Sequence, residues 1–459
     1  MKAAVKVEKV AMKGPRGAKG AAAAANITGA PAEEGTGNPG LAGGVIETTA
    51  VNGIPVILET LPFFRSVAFG VWVNAGSRDE TEEKSGLFHF LEHMVFKGTS
   101  RRDPLAISVE TDELGGQLDA FTSREVTCYS SHVVAERLEQ AFDLVTDIMM
   151  NSVFPPAELE RERQVIIEEI RMGEDNPAEY IYDKMYPLRW PGHPLGRLIT
   201  GSVETVAALN RDDFITARDK FYRPPRLLVT ACGAVDMKTL KELVARHFGG
   251  LQAEPGERQM DTPRISRASY IMRKKLEQAH ILLAAPGLPT DSRRRPALSI
   301  LNTALGGGVS SRLFQKVREE LGLAYSINSF YEQFADAGLF GVYAACSPEM
   351  LPKLWDAVRG EMERASAHPP TAEEIRRAKN LSAGALKMSF ESVNSRMFQM
   401  AYQWLYYGKA LAPDEMLAEI EGVTLDEVRE LAGELLAGRE FTVIALGPIH
   451  RRQEKLFEI

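Results

Sequence analysis

Continuous apolar runs alternate along the chain with stretches of helical periodicity, and the two patterns predict its elements. Residues 54–58 and 66–73 are β-branched or aromatic runs bounded by turn residues, and read as strands. Residues 86–97 read as a helix, with Ser85 as its N-cap and Gly98 as its stop. A strand follows at 125–134, then two amphipathic helices over 135–150 and 156–173. A strand at 226–233 and a helix at 236–248 close this first part. Residues 250–265 carry Gly, Pro, Gln and Glu without periodicity and read as a linker. Beyond it the order restarts, with a strand at 279–285, a helix at 294–305, a Gly-rich turn, a helix at 311–321 and a final strand at 441–446. The pattern predicts an α+β chain duplicated at the level of fold: a first domain over 45–255, a linker at 256–265 and a homologous second domain over 266–459.

Composition changes this picture at one end only. Residues 1–44 are rich in Ala, Gly and Lys with almost no large apolar side chains, and are expected to be a disordered tail. Their Ala-rich stretch is too short for the apolar core of a secretion signal, which leaves the cytoplasm as the default compartment. No apolar run approaches the ~18 residues of a membrane span. A net charge of −8 argues against nucleic acid as the main partner. The three cysteines, Cys128, Cys232 and Cys346, are widely spaced in apolar stretches and form neither a disulfide framework nor a thiolate metal site.

The candidate chemistry begins on the helix at 86–97. His89 and His93 are four residues apart and share one helical face, so both imidazoles can reach a single ion. Glu92 stands close enough to hold a water molecule rather than bind the ion directly. Three protein ligands and one open position are what a hydrolytic zinc ion requires. A third ligand is expected from the helix at 156–173. There Glu162 and Glu169 lie two turns apart on one face, flanking Val165 and Ile166, whereas Glu168 points elsewhere. Glu169 is the expected ligand, Glu162 a carboxylate that orients the site from behind, and Glu168 the fallback.

The segment from Gly86 to Thr99, with its His89-Phe90-Leu91-Glu92-His93 core, together with residues 165–177, resembles the pitrilysin/insulysin family of metallopeptidases. The similarity is greatest to its short-chain branch, which includes the mitochondrial processing peptidase and bacterial relatives, and it extends from about residue 45 to the C-terminus. In that family the third zinc ligand is a Glu placed as far beyond the second His as Glu169 lies beyond His93, which is 76 residues. The resemblance implies two α/β-sandwich domains, each a mixed sheet with helices packed on it, that make half of a closed peptidase chamber. It implies one Zn2+ per chain and Glu92 as the general base of peptide hydrolysis.

The second domain carries its own match, from Gly306 through Arg312 to Arg318, Leu321 and Tyr325. On composition alone residues 306–308 are a flexible turn, since no Lys-Ser/Thr follows as a phosphate loop requires. The resemblance instead implies that Arg318 and Tyr325 contact substrate near the scissile bond, where both could stabilise a developing oxyanion. Residues 114–127 resemble the family's edge strand, along which an extended peptide is added, with Ala120 among the substrate-binding positions and Asp119 where many members have Asn. A chain with two such domains implies a second chain to close the chamber. Because motif and Arg–Tyr pair share one polypeptide, a homodimer is expected ahead of a heterodimer. The rivals are a presequence-processing subunit and a catalytically silent scaffold, the latter expected to have a broken motif.

Overall fold

The computed structural model describes residues 44–253, 258, 260–437 and 441–458. The expected tail over 1–44 lies outside the described residues except for Gly44, as do residues 256, 257 and 259 of the expected linker.

Two mixed sheets organise the chain. The first holds β1 (Val45–Val51), β2 (Ile54–Thr60), β3 (Ser66–Val73), β4 (Gln117–Thr122), β5 (Thr127–Val134) and β6 (Leu227–Gly233) in the spatial order β1-β2-β6-β3-β5-β4. The second holds β7 (Ala268–Arg273), β8 (Ala279–Pro286), β9 (Ser326–Gln333), β10 (Gly338–Cys346) and β11 (Thr442–Gly447) in the order β7-β11-β8-β10-β9. With β1 set aside the two orders are the same. Both join a parallel pair (β2 with β6, β7 with β11) to antiparallel neighbours. The duplication expected from the element pattern is present in the topology.

The central strands are apolar without alternation because both of their faces are covered. Seven of the eight residues of β3 and all nine of β10 are buried. On one face of the first sheet Phe69, Val71 and Val229 pack against helices of the same half, through Phe88, Phe142 and Phe248. The opposite face is covered from the other half. Met397 and Phe398, on the helix Val393–Tyr407, pack on Trp72, Cys128 and Leu228. The exchange is reciprocal: Ile181, Met185 and Tyr186, on the helix Pro177–Arg189, pack on Leu282, Phe330 and Ile444 of the second sheet. Each half therefore lends one helix to the other.

Buried ions reinforce this crossing. Arg78 donates to Glu125 Oε1 at 2.7 Å within the first half and to Asp336 Oδ1 at 2.7 Å in the second. Glu59 of β2 pairs with Arg396 of the exchanged helix, Nε to Oε2 at 2.5 Å, with both side chains almost fully buried. Buried pairs of this kind cost desolvation and return it only when the geometry is met, so they favour one relative placement of the halves.

Two local expectations are corrected. Ser85 does not cap the helix, which runs Leu87–Met94 and continues as a tighter turn over Val95–Lys97. Gly86 is its N-cap at φ 94°, where a Cβ would come within 2.7 Å of the Thr200 carbonyl oxygen. Its first amides are satisfied from outside, as Glu80 Oε2 accepts from Gly86 N at 2.9 Å and Oε1 from Phe88 N at 2.8 Å. The helix expected at 311–321 is instead a wide-wound π turn over Phe314–Glu320.

Candidate metal centre

The helix Leu87–Met94 turns its apolar side, Phe88, Phe90, Leu91 and Met94, into the first core. His89 and His93 are left side by side on another face, their ring centroids 4.7 Å apart. The helix Pro156–Asp175 packs across it with Ile166 fully buried and brings Glu169 to the pair. Oε2 of Glu169 lies 3.7 Å from His89 Nε2 and 3.8 Å from His93 Nε2. One ligand atom from each residue falls within 4.8 Å of the others, and no other cluster of three such side chains occurs among the described residues. Bonds of about 2.1 Å in a tetrahedral zinc site place ligand atoms about 3.4 Å apart. The two carboxylate-to-imidazole separations are within about half an ångström of this spacing, and two imidazoles with a carboxylate suit zinc among the divalent metals. Glu168, the fallback, is turned to solvent and paired with Arg171.

Glu162 stands behind the triad. Its Oε1 accepts from His93 Nδ1 at 2.9 Å, which assigns the proton to Nδ1 and leaves the Nε2 lone pair facing Glu169 and the metal position. Its Oε2 is 2.6 Å from Lys97 Nζ. Burial alone would raise the Glu162 pKa, but the bonds to His93 and Lys97 outweigh it and hold the carboxyl below its usual range. For His93 burial favours the neutral ring, and the carboxylates of Glu162, Glu92 and Glu169 outweigh it and raise its pKa.

Glu92 is half-buried, and burial raises its pKa despite the neighbouring His93 and a hydrogen bond from Thr122 Oγ1 to Oε2 at 3.0 Å. The same hydroxyl lies 3.3 Å from the Phe88 carbonyl oxygen. Thr122 is the last residue of β4, the edge strand of the first sheet. The open edge of that sheet thus ends against the carboxylate beside the triad. Ala120 sits on the same strand opposite Tyr129, with its side chain packed on the core, so only its backbone could face an added strand. Asp119 stands exposed on the same strand.

Arg318 and Tyr325 lie together in the second half. The guanidinium stacks 4.6 Å from the Tyr325 ring centroid and 4.8 Å from that of Phe314, and Nη1 donates to the Tyr325 carbonyl oxygen at 3.1 Å. Tyr325 is 77% exposed among the described residues, an unusual position for a large ring. Arg312 of the same segment is structural: it binds both Glu374 oxygens and the carbonyl oxygens of His368 and Pro369.

Sequence reasoning missed Glu80, Lys97 and Thr122. Lys97 and Thr122 fall within segments it singled out, but their partners are distant in sequence, and only the fold pairs them.

Two family models match the chain: "Insulinase (Peptidase family M16)" over residues 55–202 and "Peptidase M16 inactive domain" over 208–382. An uncharacterized zinc protease of Streptomyces coelicolor is 39% identical over 420 residues, covering 90% of this chain and 91% of the relative. The uncharacterized zinc protease YmxG of Bacillus subtilis is 36% identical over 400 residues, covering 87% and 97%. Among solved structures, an M16 inactive domain from Pseudomonas fluorescens superposes with a TM-score of 0.82 at 18% identity, over 88% of this chain and 98% of that one. A protease from Helicobacter pylori superposes at 0.81 and 22%, over 88% and 99%. The structural likenesses carry the fold.

Proposed function

Since the chain belongs to the M16 (insulinase) family of zinc peptidases, we propose that it is a zinc-dependent endopeptidase acting on extended peptides inside a chamber formed by two chains. The observation that carries this reading is the convergence of His89, His93 and Glu169 on one point, with Glu92 beside it at the end of an open sheet edge.

One zinc ion per chain would be held by Nε2 of His89, Nε2 of His93 and a carboxylate oxygen of Glu169. When bound it supplies a Lewis acid that brings the acidity of a water molecule near neutral pH and draws charge from a peptide carbonyl. Glu92 takes the proton from the attacking water on a carboxylate oxygen and returns it to the leaving amine. The bond from Thr122 aims that carboxylate. The substrate backbone adds to the outer edge of β4, Ala120 included, so binding depends little on side-chain identity. Arg318 and Tyr325 reach the reacting carbonyl from the second chain, which suits an exposed, preassembled pair. The motif is intact, contrary to what a silent scaffold requires.

The test is zinc content and cleavage of a quenched peptide by the chain and by Glu92→Gln. We expect about one zinc per chain in both, with the variant's kcat lower by at least about a thousandfold. A chain that binds no zinc, or a Glu92→Gln variant that cleaves normally, overturns the reading.

A further inference from the structure

We infer that Lys97 is a positioning residue of the metal centre: its ammonium group fixes the Glu162 carboxylate against His93, and so keeps His93 Nε2 turned to the ion. The inference rests on the metallopeptidase reading and extends it to a residue outside the ligand set.

Three observations carry it. Lys97 follows His93 by four residues on the turn that continues the motif helix, which places His89, His93 and Lys97 along one face. Glu162 then joins two of them, Oε1 to His93 Nδ1 at 2.9 Å and Oε2 to Lys97 Nζ at 2.6 Å. With each oxygen engaged by a different partner, the carboxylate cannot rotate about its own axis without breaking a bond. Finally, the Glu162 side chain is only 9% exposed. An imidazole that binds a metal through Nε2 and donates through Nδ1 is neutral, so in the loaded centre Glu162 is a buried carboxylate with Lys97 as its cation. A lysine in the last turn of a helix also meets the negative end of the helix dipole, and an ordinary exposed ion pair adds little. Neither role requires the lysine to touch the carboxylate that touches the ligand.

The experiment measures the zinc dissociation constant of the full chain by competition with a chromogenic chelator. The variants are Lys97→Met, Lys97→Arg, Glu162→Gln and the double variant Lys97→Met/Glu162→Gln. Partners behind metal ligands are commonly worth about 10- to 100-fold in affinity, and we expect Lys97→Met to weaken zinc binding about tenfold. Lys97→Arg keeps a cation in reach and should stay within about threefold of wild type. If Lys97 acts through Glu162, adding Lys97→Met to Glu162→Gln changes the constant by less than about twofold, because the single losses do not multiply. The melting temperature of the metal-free chain separates this from a structural ion pair, which would shift it while leaving the zinc constant alone. An unchanged zinc constant in Lys97→Met, or losses that multiply in the double variant, overturns the inference while the metallopeptidase reading stands. A wild-type chain that binds no zinc overturns both.

Discussion

At the residue scale the candidate site divides into side chains that announce themselves and side chains that do not. His89, Glu92 and His93 were legible because a helix converts their spacing directly into a shared neighbourhood. Glu169 was legible as one carboxylate of a same-face pair, and the fold separates it from Glu168, which is turned to Arg171. Glu80 was not legible, since nothing in its local pattern says that its carboxylate caps a helix beginning seven residues later. Replacing Glu80 with Ala strands two buried amide donors and should cost about 2–4 kcal/mol, visible as a lower urea midpoint. Glu80→Gln keeps an acceptor oxygen and should cost less. If the two variants unfold alike, the capping role is wrong. A second residue gives a pH dependence. The bidentate bond from Arg312, reinforced by the Thr371 amide and hydroxyl, lowers the Glu374 pKa from 4.5 to about 2. A carboxyl with a lowered folded-state pKa stabilises the chain above 4.5, and that contribution is lost as pH falls towards 2. Solvent screens the pair, so the effect should be about 1 kcal/mol. Melting temperatures of Glu374→Gln should therefore fall below wild type at neutral pH and converge with it towards pH 2. Parallel curves would refute the assignment.

At the scale of elements, β2, β3, β6, β8 and β11 were visible as apolar runs, because strands buried on both faces need apolar residues throughout. The same feature hid what covers them. A strand without alternation records that both faces are buried but not which helix buries each, so the exchange of Pro177–Arg189 for Val393–Tyr407 had no signature in the chain. The pattern predicts no element between 326 and 440, although the described residues there hold β9, β10 and five α-helices with firm caps such as Thr371 and Thr424. The exchanged helices make a prediction that independent domains would not. Met397 is fully buried against the first sheet yet belongs to the second half. Met397→Ala should cost about 2–5 kcal/mol. The loss should shift a single calorimetric transition as a whole, since neither half keeps both faces of its sheet covered when the other unfolds. A variant trace that splits into two peaks, with the second sheet melting unchanged, would show that the exchange does not couple the halves.

At the scale of the whole molecule the duplication has become unequal in chemistry. The helix Arg295–Gly306 follows β8 as the motif helix follows β3, but its sequence, Arg-Pro-Ala-Leu-Ser-Ile-Leu-Asn-Thr-Ala-Leu-Gly, contains no histidine. The second half offers instead the exposed Arg318–Tyr325 pair. A chain that carries both a metal centre and such a pair can build two equivalent sites in a two-fold dimer, each centre of one chain completed by the pair of the other. This proposed arrangement can be tested without a structure of the dimer. Glu92→Gln disables the base of its own chain, and Arg318→Ala with Tyr325→Phe disables the pair its chain would lend. Each variant alone should be nearly inactive. When the two are unfolded together and refolded in equal amounts, half of the dimers are mixed and one of the two sites in each mixed dimer is intact, so about a quarter of wild-type activity should return. Recovery with that stoichiometry requires sites shared between chains. No recovery, from variants that refold and bind zinc normally, would mean that each chain completes its own site or that its proper partner is a different protein. Cleavage by the wild-type chain alone then separates those two outcomes, since only a chain that completes its own site is active without a partner.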